Sequence, residues 1–125
     1  MANPGPASSI QTHPQVLSSN QALRLLGSAQ SINANATGDT AIPILNTSSY
    51  IILYVIATNA SISLTTAAGG LFTGPAAGGT PLVTSAALSA LTGPTVASQR
   101  TVLAAGAAQN TSQTIYWNIA TAQGA

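Results

Sequence analysis

Residues 50–58 read Tyr-Ile-Ile-Leu-Tyr-Val-Ile-Ala-Thr, and they contain the longest apolar stretch of this 125-residue chain. Aromatic residues and residues branched at Cβ dominate the stretch, and such side chains favour extended backbone. Both faces of a strand with this sequence would be apolar, which is typical of a strand covered on both sides. We therefore expect residues 50–58 to form the central and most buried strand of a β-sheet.

Shorter strands are predicted before this stretch. Residues 32–36 alternate between apolar and polar side chains, as a half-buried strand does. A turn at Gly38-Asp39 separates them from a second strand over residues 40–44. Pro43 has no N–H to donate to a neighbouring strand, so this second strand is expected at the edge of a sheet.

The chain after residue 58 has the same character, with turns that contain glycine and proline. Residues 62–66 alternate as a strand, residues 85–91 are rich in residues that favour one or two helical turns, and Ile115, Trp117 and Ile119 point inward from a strand over 114–120. The remaining predicted elements are a helical turn or strand over 21–26, a Gly-rich loop over 67–81 with a short Leu71-Phe72 strand inside it, and strands over 81–84 and 100–105.

Seven or eight short strands separated by glycine and proline turns indicate an all-β fold, either a β-sandwich or a jelly-roll-like barrel. This domain is assigned to residues 29–125. Residues 1–28 are predicted to form an extended N-terminal arm, because residues 1–20 are rich in Pro, Ser and Asn and show no periodicity. We expect neighbouring chains to hold the arm. The predicted partner contacts are the apolar arm residues Ile10, Val16, Leu17 and Leu23, together with Phe72 in its Gly-bounded loop.

Only three side chains of the whole sequence are charged, namely Arg24, Asp39 and Arg100. An average domain has about a quarter of its residues charged. A mechanism with paired carboxylates needs a second acid, and a metal site needs more ligands than His13 and Asp39 provide. The chain has a single histidine, and none of its serines lies in the G-x-S-x-G motif of a nucleophile elbow. The sequence therefore predicts neither an enzyme nor a cofactor.

The glycine pairs Gly69-Gly70 and Gly78-Gly79 are interpreted as turn glycines and not as a phosphate-binding loop. No Lys-Ser/Thr follows either pair, and the chain has no lysine at all. Asp39 is interpreted in the same way, as a turn residue that bonds its own backbone. A salt bridge from Asp39 to one of the arginines is the alternative.

Direct nucleic-acid binding is not expected, because two arginines are too few to neutralise a phosphate backbone. The apolar stretch from residue 50 to 57 is too short for a membrane-spanning helix. Residues 1–20 lack the pattern of a secretory signal, and the absence of cysteine fits synthesis in a reducing cytoplasm.

Residues 58–73, Thr-Asn-Ala-Ser-Ile-Ser-Leu-Thr-Thr-Ala-Ala-Gly-Gly-Leu-Phe-Thr, resemble a motif that recurs in small structural proteins of tailed bacteriophages. Four further segments are similar, and the resemblance covers about residues 40–125. It implies a place in a virion, but it transfers no functional residue. The four segments are residues 41–44, 78–80, 89–92 and 121–125.

The leading hypothesis from sequence is a capsid decoration, or cement, protein on the surface of a phage head. Its expected partners are the major capsid protein and further copies of itself, as an oligomer such as a trimer. A tail, neck or fibre-base component is the first alternative. A receptor- or glycan-binding module of the virion is the second, and it would need exposed aromatic residues. A threonine-based ice-binding surface is disfavoured, because no Thr-x-Thr ladder repeats at a fixed spacing.

Overall fold

Six strands in two antiparallel sheets make up the computed structural model, which describes residues 24–45 and 48–124. The larger sheet has the order β1-β6-β3-β4, and β2 pairs with β5. The predicted all-β fold class is thereby confirmed, whereas the arm residues Ile10, Val16, Leu17 and Leu23 lie outside the described residues. The strands are β1 (Gly38–Pro43), β2 (Ile56–Thr58), β3 (Ala68–Gly74), β4 (Gly78–Ala87), β5 (Ser98–Arg100) and β6 (Thr114–Thr121), with one 3₁₀ turn at Ala105–Ala107.

The C-terminal strand β6 occupies an interior position, between β1 and β3. Ile115, Trp117 and Ile119 are buried and alternate with more exposed neighbours, as the sequence predicts. The period-2 pattern is reliable here because one face of β6 meets the core and the other does not.

Strand β1 lies at one edge of the larger sheet, as Pro43 predicts. Its register with β6 places Ile42 opposite Ile115 and Thr40 opposite Trp117. Gly38 and Asp39, predicted as a turn, are instead the first two residues of this strand.

Strands β3 and β4 form a hairpin where the sequence predicts a loop over residues 67–81. Gly69 and Gly70 are buried inside β3, and neither has a left-handed backbone, so their interpretation as turn glycines is wrong. A Cβ on Gly70 would lie 2.6 Å from the Val83 carbonyl oxygen, and one on Gly69 would lie 3.1 Å from the Trp117 ring. These glycines let the neighbouring strands approach closely.

Strand β4 is ten residues long against seven in β3, and irregular steps in the pairing absorb the difference. Such bulges bend a strand and increase its twist. The predicted strand over 81–84 lies within β4. The helical turns predicted over 85–91 are wrong, because residues 85–87 continue the strand and Leu88 and Leu91 are buried in a turn. Pairing with β3 overrides the helical preference of this alanine-rich segment.

The stretch over residues 50–58 is not the central strand, and this is the largest departure from the sequence prediction. Only its last three residues form a strand, β2, in the smaller sheet. Tyr50 and Ile52 are each 6% exposed, whereas Ile51 is 59% and Leu53 is 53% exposed. Both faces are apolar, but the protein covers only one of them.

Three further sequence predictions need correction. Residues 32–36 form no strand, although Ile32 and Ala34 are half-buried at alternate positions as predicted. Residues 62–66 form no strand either, and residues 24–26 adopt neither strand nor helix. The strand predicted over 100–105 begins earlier and ends at Arg100, in β5.

One hydrophobic core lies between the larger sheet and the layer that contains β2 and β5. The half-buried residues Val55 and Ala57 of this second layer pack against it. Leu82 and Val83 of β4 are its most completely buried large side chains. The other members are Tyr50, Ile52, Leu64, Ala67, Leu71, Leu88, Leu91, Ala107, Ile115, Trp117 and Ile119.

Candidate interaction surface

The outward face of the β2–β5 sheet presents apolar side chains to solvent. Ile56 lies opposite Arg100 in the register. The Thr101 N–H donates to the Val55 carbonyl oxygen at 2.9 Å, which continues the pairing beyond β2 and brings Tyr54 opposite Val102. Tyr54, Ile56 and Val102 are 50%, 56% and 81% exposed. We call these four residues, Tyr54, Ile56, Arg100 and Val102, the ribbon face.

The one charged group of the ribbon face is stacked on its one aromatic ring. The guanidinium carbon of Arg100 lies 4.1 Å from the centroid of the Tyr54 ring. A cation–π contact at an exposed site contributes about 0.5–1 kcal/mol. It also holds the arginine stem along the sheet, so that the long side chain covers apolar surface. The face therefore offers a partner apolar contact and a single positioned cation.

Phe72, predicted as an exposed anchor for a partner, is buried at 9% exposure. It lies in β3 next to Leu71, which belongs to the core, and its register partners are Tyr116 and Pro81. Phe72 therefore packs on the opposite side of the sheet from the core. The exposed-anchor prediction is wrong because the Gly-bounded segment is a central strand and not a loop.

The other aromatic residues, all of which the structure describes, are mostly covered. Trp117 and Tyr50 are each 6% exposed, and Tyr116 is half-buried. The Tyr50 hydroxyl donates to the Ser112 carbonyl oxygen at 2.5 Å, and burial raises the pKa of this phenol above its ordinary value. Tyr54 is thus the one aromatic residue of the chain that is substantially exposed.

Asp39, the single acid of the chain, ties the edge strand to the tip of the β3–β4 hairpin. Its carboxylate accepts a hydrogen bond from the Ala76 N–H at 2.7 Å and one from the Asn118 side-chain amide at 2.9 Å. Ala76 and Ala77 have left-handed backbones, with φ of 56° and 58°, which L-residues adopt at a cost. The carboxylate supports this tip, and it does not bond its own turn as the sequence predicts.

Residues 65–67 and the C-terminal segment meet through Gln123. Its side-chain oxygen accepts from the backbone N–H groups of Thr66 at 3.0 Å and Ala67 at 3.2 Å, and its amide donates to the Thr65 hydroxyl at 3.0 Å. The Gly124 N–H donates to the Thr66 hydroxyl at 2.7 Å. These hydrogen bonds hold the C-terminal segment to the residues that precede β3.

A shallow depression of about 590 Å³ lies beside the 3₁₀ turn. Only small and neutral residues line it, so it offers hydrogen-bonding groups but no acid, base or nucleophile activated by one. Among residues 24–45 and 48–124 there is no cluster of three potential metal-ligating side chains. No helix in the same part of the chain is long and apolar enough to span a membrane. The depression is lined by Thr80, Ala105, Gly106, Ala108, Gln109, Asn110 and Thr111.

Comparisons of the chain with protein-family models, with curated proteins and with solved structures find no match. The ribbon face is therefore interpreted from its own chemistry. Sequence reasoning missed it, because the apolar run over residues 50–58 carries no signal that tells a doubly covered strand from one whose second face is free.

Proposed function

We propose that this chain is a structural protein of a tailed-phage particle, and that it decorates the capsid surface and stabilises the shell. The observation that carries the proposal is the ribbon face, where Tyr54, Ile56 and Val102 remain exposed on a chain with only three charged residues. Contiguous exposed apolar residues are typical of surfaces that bind other proteins. The virion context rests on the resemblance of residues 58–73.

The proposed mechanism uses many weak, uncharged contacts. The ribbon face would bury its apolar side chains on the major capsid protein, and residues 1–28 would add contacts to neighbouring subunits. Each contact alone is modest, but attachment at several points on a lattice raises the effective affinity by orders of magnitude. No catalytic step, cofactor or nucleic-acid contact is part of the proposal.

A glycan-binding role receives less support from the same surface. Sugar platforms use the exposed faces of aromatic rings, and here Arg100 covers a face of the Tyr54 ring. A tail or neck component would use equivalent surfaces, and its low copy number per particle would distinguish it from a decoration protein.

The proposal is tested on heads purified from a phage strain that lacks the chain. Adding the purified protein should give saturable binding and should raise the temperature at which the heads release DNA. We expect Val102→Glu, in the ribbon face, to weaken binding at least about tenfold, because taking an added carboxylate out of water at an apolar contact is costly. Val96→Glu is the matched control, since Val96 is 99% exposed and lies outside the ribbon face.

Two results would contradict the proposal. The first is a head that neither binds the protein nor gains heat resistance. The second is equal binding of the Val102→Glu and Val96→Glu proteins, because the ribbon face would then make no contact with the shell.

A further inference from the structure

The free edge of β2 has a defined set of unpaired backbone groups. Val55 accepts from the Thr101 N–H, and the Asn59 N–H donates to the Ala97 carbonyl oxygen at 3.0 Å. In an antiparallel pair, bonded residues alternate with residues whose N–H and C=O point away from the partner. The backbone groups of Tyr54, Ile56 and Thr58 therefore point away from β5.

No second strand pairs with β2 among the residues that the structure describes. The pairing with β5 extends back to Val55 through the Thr101 N–H, so residues 54–58 present an open edge about 16 Å long. Its apolar side chains Tyr54 and Ile56 are at least half exposed. We call residues 54–58 the open edge.

The open edge lacks the features that prevent strand pairing elsewhere in this protein. Proteins protect sheet edges with proline, charged residues, bulges or covering segments. Strand β1 carries Pro43 and Asp39. Strand β4 has bulges, and the Ala104 N–H covers its edge by donating to the Leu82 carbonyl oxygen at 2.8 Å. Residues 54–58 contain no proline and no charge.

We infer that the open edge is a homotypic docking site, where two copies of this chain pair antiparallel across a two-fold axis. The two β2–β5 sheets would then join into one continuous sheet through the main chain. An antiparallel edge is self-complementary under two-fold symmetry, since each copy presents the same donors and acceptors in reverse order. The chain carries a formal net charge of only +1, so two copies approach with little repulsion.

A second copy fits this edge better than a charged partner does. Every side chain of residues 54–58 is neutral, and the cation nearest in the sheet, Arg100, lies on the strand away from the edge and is stacked on Tyr54. An uncharged and largely apolar partner strand therefore matches this edge, and residues 54–58 of another copy meet both conditions. The inference concerns self-association alone and does not depend on the proposed role in a virion.

The first test is the mass of the full chain in solution by sedimentation equilibrium, from micromolar to submillimolar concentration. We expect a reversible monomer–dimer equilibrium that ends at twice the chain mass of 12.3 kDa. A species that remains monomeric throughout, or a trimer without a dimer, would overturn the two-fold pairing.

The second test places one carboxylate at the edge and one away from it. Ile56→Glu faces Arg100 across the strand pair in its own chain, so the folded monomer keeps a favourable charge pair. At the dimer edge the same change brings like charges together, and we expect dimerisation to weaken at least about tenfold. Val102→Glu adds the same charge to the same face on the other strand, and it should leave the dimer intact.

The variants are checked for folding by their circular dichroism before their masses are compared. Equal weakening by Ile56→Glu and Val102→Glu would mean that the faces stack and the edges do not pair, which contradicts the inference. So would unchanged dimerisation of a folded Ile56→Glu protein.

Hydrogen exchange gives an independent readout that needs no variant. The amide N–H groups of Tyr54, Ile56 and Thr58 should exchange more slowly at high than at low protein concentration, because pairing protects them. The amide of Asn59 already donates within the chain and serves as the internal control, with a much smaller change. A concentration-independent pattern at Ile56 and Thr58 in a dimeric protein would place the contact elsewhere.

Discussion

At some positions in the larger sheet, glycine is needed because two strands approach too closely for a side chain to fit. Gly70 sits where a Cβ would meet the Val83 carbonyl oxygen at 2.6 Å and the Ser85 nitrogen at 2.8 Å. Both are backbone atoms of β4, so a side chain cannot be accommodated by a rotamer change. Because Gly70 has no Cβ, the backbones of β3 and β4 can approach each other closely at this point.

Gly70→Ala should lower the free energy of unfolding by about 1–3 kcal/mol, the usual cost of inserting a methyl group into a tightly packed position. Urea unfolding followed by Trp117 fluorescence measures the change. Ser85→Ala, at an exposed position of the neighbouring strand, should alter stability by less than about 0.5 kcal/mol. Equal stability of the Gly70→Ala protein and the parent chain would show that the strands do not lie this close.

Because of Tyr50, the free energy of unfolding of the protein should depend on pH in the alkaline range. Burial raises its folded-state pKa above the unfolded value of about 10. Above about pH 10 the unfolded chain therefore binds fewer protons than the folded one, and the contribution of Tyr50 falls as pH rises through its folded pKa. Below pH 10 the contribution is complete and constant.

Tyr50→Phe should lower the free energy of unfolding by about 1 kcal/mol at neutral pH, because the Ser112 carbonyl oxygen loses its donor. This difference between the two proteins should shrink as pH rises above about 10. Denaturation curves from neutral pH to pH 11 provide the measurement. A difference that stays constant over the whole range would contradict a raised pKa at Tyr50.

Some of the secondary-structure elements could be predicted from the sequence, and others could not. Strands β1 and β6 were predictable, because proline at an edge and strict alternation on a half-buried strand each have a single physical cause. The β3–β4 hairpin was not, because glycines that permit close packing look in sequence like glycines that make turns. The sequence predicts residues 50–58 as a central strand because both of its faces are hydrophobic. In the structure, the protein buries only one of these faces.

The C-terminal segment is held to the loop before β3 by Gln123. Gln123→Ala should remove the acceptor of the Thr66 and Ala67 N–H groups, at a cost of about 0.5–1.5 kcal/mol, because water can reach this partly exposed site. Hydrogen exchange should accelerate at these two amides in particular. Gln109→Ala, at an exposed glutamine, is the matched control and should change neither quantity. Unaltered exchange at Thr66 and Ala67 would show that the contact is not formed in solution.

The protein as a whole has very few charged side chains, and this can be read directly from the sequence. That composition could not predict which side chains lie together on the surface. Phe72, which the sequence predicts as an exposed anchor, is buried. The ribbon face forms only because the β2–β5 pairing brings Tyr54, Ile56 and Val102 together. A surface built from two distant segments has no signature in either segment alone.

Stability of the whole protein should be almost independent of salt, since only three charged side chains exist to be screened. The free energy of unfolding in urea should differ by less than about 0.5 kcal/mol between low and molar potassium chloride. Equilibrium unfolding of the full chain at the two salt concentrations measures this. A larger loss of stability at high salt would contradict the small contribution of ionic contacts to folding.

The proposed role as a capsid decoration protein is tested most directly by the copy number of the chain per purified phage particle. Quantitative mass spectrometry against the major capsid protein measures that ratio. We predict one copy per capsid subunit, or a simple fraction of it. A few copies per particle would contradict decoration and place the chain in the tail or neck, and absence from particles would contradict any role in the virion.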